Sequence, residues 1–436
     1  MSTHSISLIT DTDTHLAAMR DPPHSRSSVR FREIYITQLG SEPGVQQRTP
    51  GRTQGILLVS MSCLPVLGAV LLAPIQPQML DEFADTPGVE ALVPLTITAP
   101  ALMIGLLALG AGRVIDKVGR IRLLTFALVV YSLFGIAPFF LDSLPLIVAS
   151  RLGVGVAEAA IMTCCTTLIA DYFSGKDRAR YFGLQVVFTS LSAVVFIGLG
   201  GALAQNDWRT PFWLYTVGVV FAILTPILLW QPRSTTTMQD LVASIRWRPL
   251  LKPLAVTLFG GAVFYTPIVQ IPIKLDAVGV NNTATIGIVS ALVALATALA
   301  ALTFGRVSDA GPKMLLPIAF GASGIGLAVV GLASNPLFVA VGGIIASAGC
   351  GLLLPTLLHW VVSDLDYAQR ARGTGAWTAA MFTGEFLCPL VVVALGAVFG
   401  GLTGALIALG TASVLMAVML PRLGSFTVDT TPSSNS

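Results

Sequence analysis

The chain has 436 residues, of which 54% are hydrophobic and 11% are charged, and its mean hydropathy is +0.81. A soluble protein carries about 25% charged residues, so this composition excludes an ordinary soluble enzyme and a disordered protein. The net charge of +3 is too small to indicate a nucleic-acid partner. The composition therefore indicates a protein that crosses a lipid bilayer many times.

Twelve apolar stretches are long enough to cross a membrane, because a span needs about 20 mostly apolar residues. Lipid offers no partner for free backbone groups, so each stretch is predicted to be an α-helix. In chain order the predicted spans are 55–79, 90–111, 121–141, 144–170, 181–204, 211–230, 251–273, 284–304, 314–333, 336–361, 374–398 and 401–420.

The remaining segments are predicted to be tails and a linker. Residues 1–54 are polar and rich in Ser, Thr, Pro and Arg, which predicts a disordered tail without a cleavable signal peptide. Residues 231–250 form a central linker and residues 423–436 a second tail.

The basic residues predict the orientation of the spans. Of the 25 Lys and Arg residues, only Arg209 and Lys274 fall in outer segments when the N-terminus is placed inside, and Arg151 lies within a span. Both tails and the linker are therefore predicted to be cytoplasmic. The short loops favour a multi-pass protein of a bacterial inner membrane.

The sequence repeats itself. Gly112-Arg-Val-Ile-Asp116 ends the second span, and Gly305-Arg-Val-Ser-Asp309 ends the eighth, 193 residues later. The same offset relates Arg120 to Lys313 and Asp171 to Asp364. The spans are therefore predicted to form two six-helix halves, 55–230 and 251–422. Paired halves around a midplane site are typical of secondary transporters.

Three motifs resemble those of the major facilitator superfamily. They are Gly112-Arg-Val-Ile-Asp116-Lys117-Val-Gly119-Arg120, Arg151-Leu-Gly-Val-Gly155-Val-Ala-Glu158 and Trp208-Arg209-Thr-Pro211-Phe212. Within that family, the Arg-to-Glu spacing and the segment Thr167–Phe173 are similar to 12-helix drug:proton antiporters and also to spinster-like transporters. One departure is Phe196-Ile197, where the exporters carry a Gly-Pro pair.

The resemblance implies an all-α membrane protein with two pseudo-symmetric six-helix bundles, no cofactor and a monomeric state. It also implies a charge lock at the cytoplasmic ends of spans, which breaks when the transporter opens inward. Its residues would be Asp116, Arg120 and Asp171, with the pseudo-symmetric copy Asp309, Lys313 and Asp364. The alternative is that these charges only set the topology.

Three ionisable residues stand out because they lie well inside predicted spans, away from the span ends: Arg151, Glu158 and Glu385. Such residues cost about 3 kcal/mol on insertion scales and usually face the bundle interior. Arg151 and Glu158 are seven residues apart, which places both on one helix face. We predict that they carry protons or contact substrate. Two alternatives stay open: an ion pair that only holds helices together, and a counter-charge for a cationic substrate.

Other polar or aromatic residues could line a cavity, although each could equally serve packing. They are Tyr265, Gln270, Gln76, Gln185 and Trp377.

The sequence favours a secondary active transporter that exports small amphipathic or lipophilic compounds in exchange for protons. The alternatives are a proton-coupled symporter that imports an organic anion through Arg151, and a facilitator. An enzyme is not predicted, because the chain has no Gly-x-Ser-x-Gly, His-Glu-x-x-His or nucleotide-binding motif. The five cysteines have no metal-ligand spacing, so no metal is predicted.

Overall fold

The computed structural model describes residues 50–108, 110, 118–231, 247–363, 365 and 367–422. Residues 1–49, most of the predicted linker and the C-terminal tail lie outside the described residues. So do Asp116 and Asp364 of the predicted charge lock.

The described residues are helical, and they contain no strand. The α-helices, which we number in chain order, are α1 (Arg52–Met61), α2 (Leu64–Val70), α3 (Gln76–Glu82), α4 (Val89–Leu107), α5 (Arg120–Ile136), α6 (Leu144–Tyr172), α7 (Gly175–Leu203), α8 (Val217–Leu228), α9 (Trp247–Ala277), α10 (Thr283–Val307), α11 (Gly311–Leu332), α12 (Pro336–Ser363), α13 (Tyr367–Phe399) and α14 (Gly401–Met419).

By length and composition, the described residues contain 11 candidate membrane spans rather than twelve. One of them, Thr283–Leu332, has 50 residues and combines α10 with α11. At about 1.5 Å per residue it would be more than twice the thickness of the hydrocarbon core. At the first residue of α11, Gly311 has a φ of +71°, a conformation that favours glycine and turns the chain. The difference in number therefore arises from a short turn.

The first span is broken into three pieces. Helices α1, α2 and α3 follow one another with a 3₁₀ turn at Ala73–Ile75 before the last. Pro65, Pro74 and Pro77 start the second piece, the turn and the third piece, because proline has no N–H to donate within a helix. The Leu67 carbonyl oxygen still accepts from the Leu71 N–H, whereas the carbonyl groups of Gly68 and Ala69 accept from side chains.

Two other helix starts are fixed by side chains or by glycine. Asn282 precedes α10, and its side-chain oxygen accepts a hydrogen bond from the Thr285 N–H at 3.0 Å. Gly119 precedes α5 with a φ of +88°, so this turn of the loop motif requires glycine. The Gln231 side chain accepts from the Ile121 N–H at 3.3 Å and caps the same helix.

Buried apolar side chains form two clusters. The first consists of residues between 57 and 229 together with Ala262, Tyr265, Val269 and Cys388. The second lies wholly between residues 250 and 420. Helices α9 and α13 contribute to both clusters, so they connect the two parts of the core.

Helices α7 and α10 cross at very short range, near the end of the bundle that we predict to face outward. A Cβ atom added to Gly201 would lie 2.6 Å from the Thr283 carbonyl oxygen and 2.8 Å from the Gly287 Cα. Small residues allow such close backbone contact between membrane helices. The pair Gly201 and Gly287 therefore fixes this crossing.

We expect Gly201→Val to destabilise the protein by about 1–3 kcal/mol, because the added side chain would force the two backbones apart. Gly198→Val is the matched control on the same helix, since no atom lies within 4 Å of a Cβ at Gly198. Thermal unfolding in detergent measures the difference. Equal melting temperatures for the two variants would contradict the assigned crossing.

Candidate transport site

Arg151 lies on α6, completely buried, and its guanidinium is held by three partners. Its Nε donates to the Thr96 carbonyl oxygen at 3.1 Å, and its Nη2 donates to the Gly68 carbonyl oxygen at 3.1 Å. Nη2 also donates to the Tyr215 hydroxyl at 2.6 Å, and the guanidinium lies 4.9 Å from the Tyr215 ring centroid. Only Nη1 has no hydrogen-bond partner among the described residues. Arg151 therefore joins α6 to the broken first span and to α4.

Glu158 follows two turns later on α6, and only 1% of it is exposed. Its Oε1 atom is buried without a hydrogen-bond partner in the described part of the chain. The carboxylate lies directly against Gly68, where a Cβ atom would overlap it. No ion pair within 4.0 Å joins Glu158 to Arg151 among the described residues. The two side chains thus share Gly68 as a neighbour without forming a salt bridge.

Glu385 lies on α13 and is also buried. A Cβ added to Gly261 of α9 would lie 3.1 Å from the Gly384 Cα and 3.2 Å from the Glu385 nitrogen. This close packing presses the backbone at Glu385 against α9. The described residues include no ion pair to Glu385.

Tyr265 of α9 connects the two glutamates. Its hydroxyl donates to the Ala69 carbonyl oxygen at 2.6 Å, next to Gly68, which contacts the Glu158 carboxylate. One turn before Tyr265, Gly261 packs against the backbone at Glu385. The structure therefore brings Arg151, Glu158, Glu385 and Tyr265 together, although they come from three helices far apart in sequence.

The other predicted cavity residues have separate surroundings. The Gln76 side chain is fully buried and donates to the Val269 carbonyl oxygen at 2.8 Å, while its Oε1 has no partner among the described residues. Gln185 is half-buried and donates to the Ser62 hydroxyl at 2.9 Å. Gln270 and Trp377 are buried. Whether these residues line a cavity stays a prediction.

Several residues of the site were not predicted. Tyr215, Thr96 and Gly68 hold Arg151, but two of these contacts are made through backbone carbonyl groups, which carry no sequence signal. Tyr215 follows the Trp208-Arg209 motif by several residues, and only a closer search for buried hydroxyl groups near predicted charges could have found it.

The predicted charge lock is only partly within the described residues. Arg120 and Asp171 form an ion pair, with 8% and 27% of their side chains exposed. Asp309 and Lys313 are exposed, and no ion pair of theirs is recorded in the described part of the chain. The gating role of all six positions stays a prediction.

We expect Asp171→Asn to lower the transport rate several-fold, because it leaves the mostly buried Arg120 charge without its partner. Exchanging the two charges, Arg120→Asp with Asp171→Arg, should restore part of the rate. Asp177→Asn is the control, because that carboxylate is exposed in the first turn of α7 and belongs to no predicted gate. A double-mutant cycle on initial transport rates measures the coupling, and strictly additive effects would contradict it.

Long apolar helices around buried charged side chains define a multi-pass membrane transporter. The chain matches the Major Facilitator Superfamily over residues 58–281 and 254–435, and it belongs to this family. It is a transporter of this family and not an enzyme. The family predicted from the three motifs is thereby confirmed.

Two curated relatives differ in what their names describe. The chain is 28% identical over 340 residues to the 3-(3-hydroxy-phenyl)propionate transporter of Escherichia coli (strain K12), covering 74% of this chain and 80% of that protein. It is 25% identical over 210 residues to the quinolone resistance protein NorA of Staphylococcus aureus (strain Mu50), covering 46% of this chain and 53% of NorA.

The fold is similar to a solved structure of a bacterial homologue of the human lysosomal transporter Spinster, in an inward-facing and occupied conformation. The TM-score is 0.70 at 16% sequence identity, over 85% of this chain and 95% of that one. This likeness concerns the fold alone.

Proposed function

We propose that this protein is a proton-coupled secondary transporter that works by alternating access. It has twelve spans in two halves, residues 55–230 and 251–422, with both termini in the cytoplasm of a bacterial cell. The observation that carries the proposal is the pair of buried glutamates, Glu158 and Glu385, which have no ion pairs in the described residues.

The chemistry of a buried carboxyl group supports proton binding. A charged carboxylate removed from water is unfavourable unless it is paired or hydrogen-bonded, whereas the protonated form has no such penalty. Glu158 has one oxygen without any partner among the described residues, and it lies against Gly68, which has no side chain. Access to water on alternate sides of the membrane would let such a group bind and release a proton in each cycle.

We favour export of small amphipathic or lipophilic compounds in exchange for protons. Few charged residues lie well inside the predicted spans, which suits neutral or cationic organic molecules. The guanidinium of Arg151 is already engaged by two carbonyl groups and a hydroxyl, so among the described residues only the NH2 group of Nη1 is left to contact an anion. The name of the relative NorA supports the same direction.

Import of an organic acid with protons is the second candidate. The observation that favours it is the E. coli relative, which this chain matches over 80% of that protein's length and which is named as a transporter of an aromatic propionate. In that case the free Nη1 of Arg151 would contact the substrate carboxylate. We further propose that the transporter is a monomer and that the Arg120–Asp171 pair belongs to a cytoplasmic gate.

Proton movement in liposomes that contain only this protein tests both candidates. A pH-sensitive dye is trapped inside, and either a quinolone or 3-(3-hydroxyphenyl)propionate is added outside. Loss of lumenal protons would support exchange, and acidification of the lumen would support symport. Protein-free liposomes control for passive permeation. Substrate uptake without proton movement would indicate a facilitator and contradict proton coupling.

A further inference from the structure

Two buried hydrogen bonds connect the first span with α9, and they run in opposite directions. The Tyr265 hydroxyl of α9 donates to the Ala69 carbonyl oxygen at 2.6 Å. The Gln76 Nε2 atom of α3 donates to the Val269 carbonyl oxygen at 2.8 Å. Positions 265 and 269 are four residues apart, so both contacts lie on the same face of α9. Together they join the two predicted halves.

The break in the first span makes the first of these bonds possible. Helix α2 ends at Val70, so Ala69 lies in its last turn and its carbonyl group can accept from a side chain. In an unbroken helix this carbonyl group would accept from the backbone four residues later. Here it accepts from the Tyr265 side chain instead.

The same turn contacts the candidate proton site. Gly68 precedes Ala69, its carbonyl oxygen accepts from Arg151, and its Cα lies against the Glu158 carboxylate. The carbonyl group that accepts from Arg151 and the one that accepts from Tyr265 therefore belong to consecutive residues. A displacement of Gly68 would move the Ala69 carbonyl group directly.

A charge on Glu158 would act on this turn through Arg151. The Nη1 atom has no partner among the described residues, and a charged carboxylate two turns along the same helix would attract the guanidinium. Turning toward Glu158 would weaken the bond from Arg151 to the Gly68 carbonyl group. The titratable and charged groups packed around this turn are Arg151, Tyr215, which accepts from Arg151, and Tyr131, whose ring centroid lies 5.1 Å from that of Tyr215. Tyr265 donates to Ala69, and Glu385 lies one turn away beside Gly261.

We propose that the bonds Tyr265–Ala69 and Gln76–Val269 form a latch that holds the first span against α9, and that loss of the Glu158 proton releases it. This inference rests on the proposed function, because it makes Glu158 the proton site. Tyr265 and Gln76 are then positioning residues: they transmit the protonation state of one predicted half to the contact between both halves.

Spin labels on the predicted outer end test the latch independently of transport. Asp85 and Asn281 are exposed and lie in the turns that follow α3 and precede α10. Both are replaced by cysteine, while the five native cysteines are buried. Electron–electron double resonance then reports the distance between the two labels in acidic and in alkaline buffer.

We expect Tyr265→Phe to raise the fraction of molecules in which the two labels are far apart by about two- to tenfold, because the variant loses one buried hydrogen bond. In the wild-type protein this population should increase with pH, and in Glu158→Gln it should stay low at every pH. Tyr131→Phe is the matched control, because the Tyr131 hydroxyl donates to the Leu64 carbonyl oxygen of the same helix α2 but comes from α5.

Identical distance distributions for Tyr265→Phe and Tyr131→Phe would overturn the latch. If Tyr265→Phe does not fold, Gln76→Met tests the second bond with the same readout. Normal proton flux with unchanged distances would refute the latch and leave the proposed function intact. Absent proton flux with a Tyr265-dependent distance would refute the proposed function and leave the latch as a mechanical contact.

Discussion

Glu158→Gln is expected to abolish substrate-driven proton movement, to the level of protein-free liposomes, while the protein stays folded. Glutamine has almost the same shape as glutamate but cannot bind or release a proton. The Oε1 atom of Glu158 has no hydrogen-bond partner among the described residues, so the substitution removes no bond there. Transport against a gradient should be lost, whereas exchange of substrate for substrate should persist.

Glu385→Gln should behave in the same way, because Glu385 is also buried near Tyr265. Glu90→Gln is the control, since Glu90 is exposed in the first turn of α4. The measurement is dye-reported proton flux at matched protein density, together with the melting temperature of each variant. If Glu158→Gln and Glu385→Gln both transport substrate normally against a gradient, the proposal that these residues couple transport to protons is wrong.

Arg151→Met is expected to lower the free energy of unfolding by about 2–6 kcal/mol, because it leaves two buried carbonyl groups without donors at about 1–3 kcal/mol each. Those groups belong to Thr96 and Gly68, and the Tyr215 hydroxyl loses its contact as well. Lysine cannot replace the planar fork of arginine, so Arg151→Lys should recover only part of the loss.

Arg209→Met provides the comparison for Arg151→Met. Arg209 pairs with Glu82 at 3.4 Å and with Asp142 at 3.0 Å, and these partners are exposed. Exposed ion pairs contribute about 0–1 kcal/mol, so this variant should change stability little. Thermal unfolding in detergent gives both values. Equal melting temperatures for the two variants would mean that the buried contacts of Arg151 do not stabilise the fold.

The class of protein could be predicted from the sequence. The hydropathy of the spans and the placement of the charged residues both follow directly from the lipid that surrounds the protein. The family, the helical multi-pass fold and the absence of enzymatic function were predicted from these patterns and from three motifs, and all are confirmed. The number of spans differs because the turn at Gly311 is too short to separate two helices by length and composition alone.

Only the part of the candidate site that lies on a single helix was predicted from the sequence. The common face of Arg151 and Glu158 follows from helix geometry, which is local. The position of Glu385 and Tyr265 beside them depends on packing between helices that are far apart in sequence, and no periodicity specifies it. The contact between Gly68 and Glu158 likewise depends on the break after α2, although the prolines that cause this break are visible in the sequence.

The broken first span also constrains how the chain is assembled during synthesis. The side chain that satisfies the Gly68 carbonyl group lies 83 residues further along, and the one that satisfies Ala69 lies 196 residues further along. A backbone carbonyl group without a partner is unfavourable in lipid, so the first span cannot take its final shape when it leaves the ribosome. Its final shape needs the fourth span for the Gly68 carbonyl group and the seventh span for the Ala69 carbonyl group. A chain that stops before Arg151 therefore leaves both carbonyl groups without these donors.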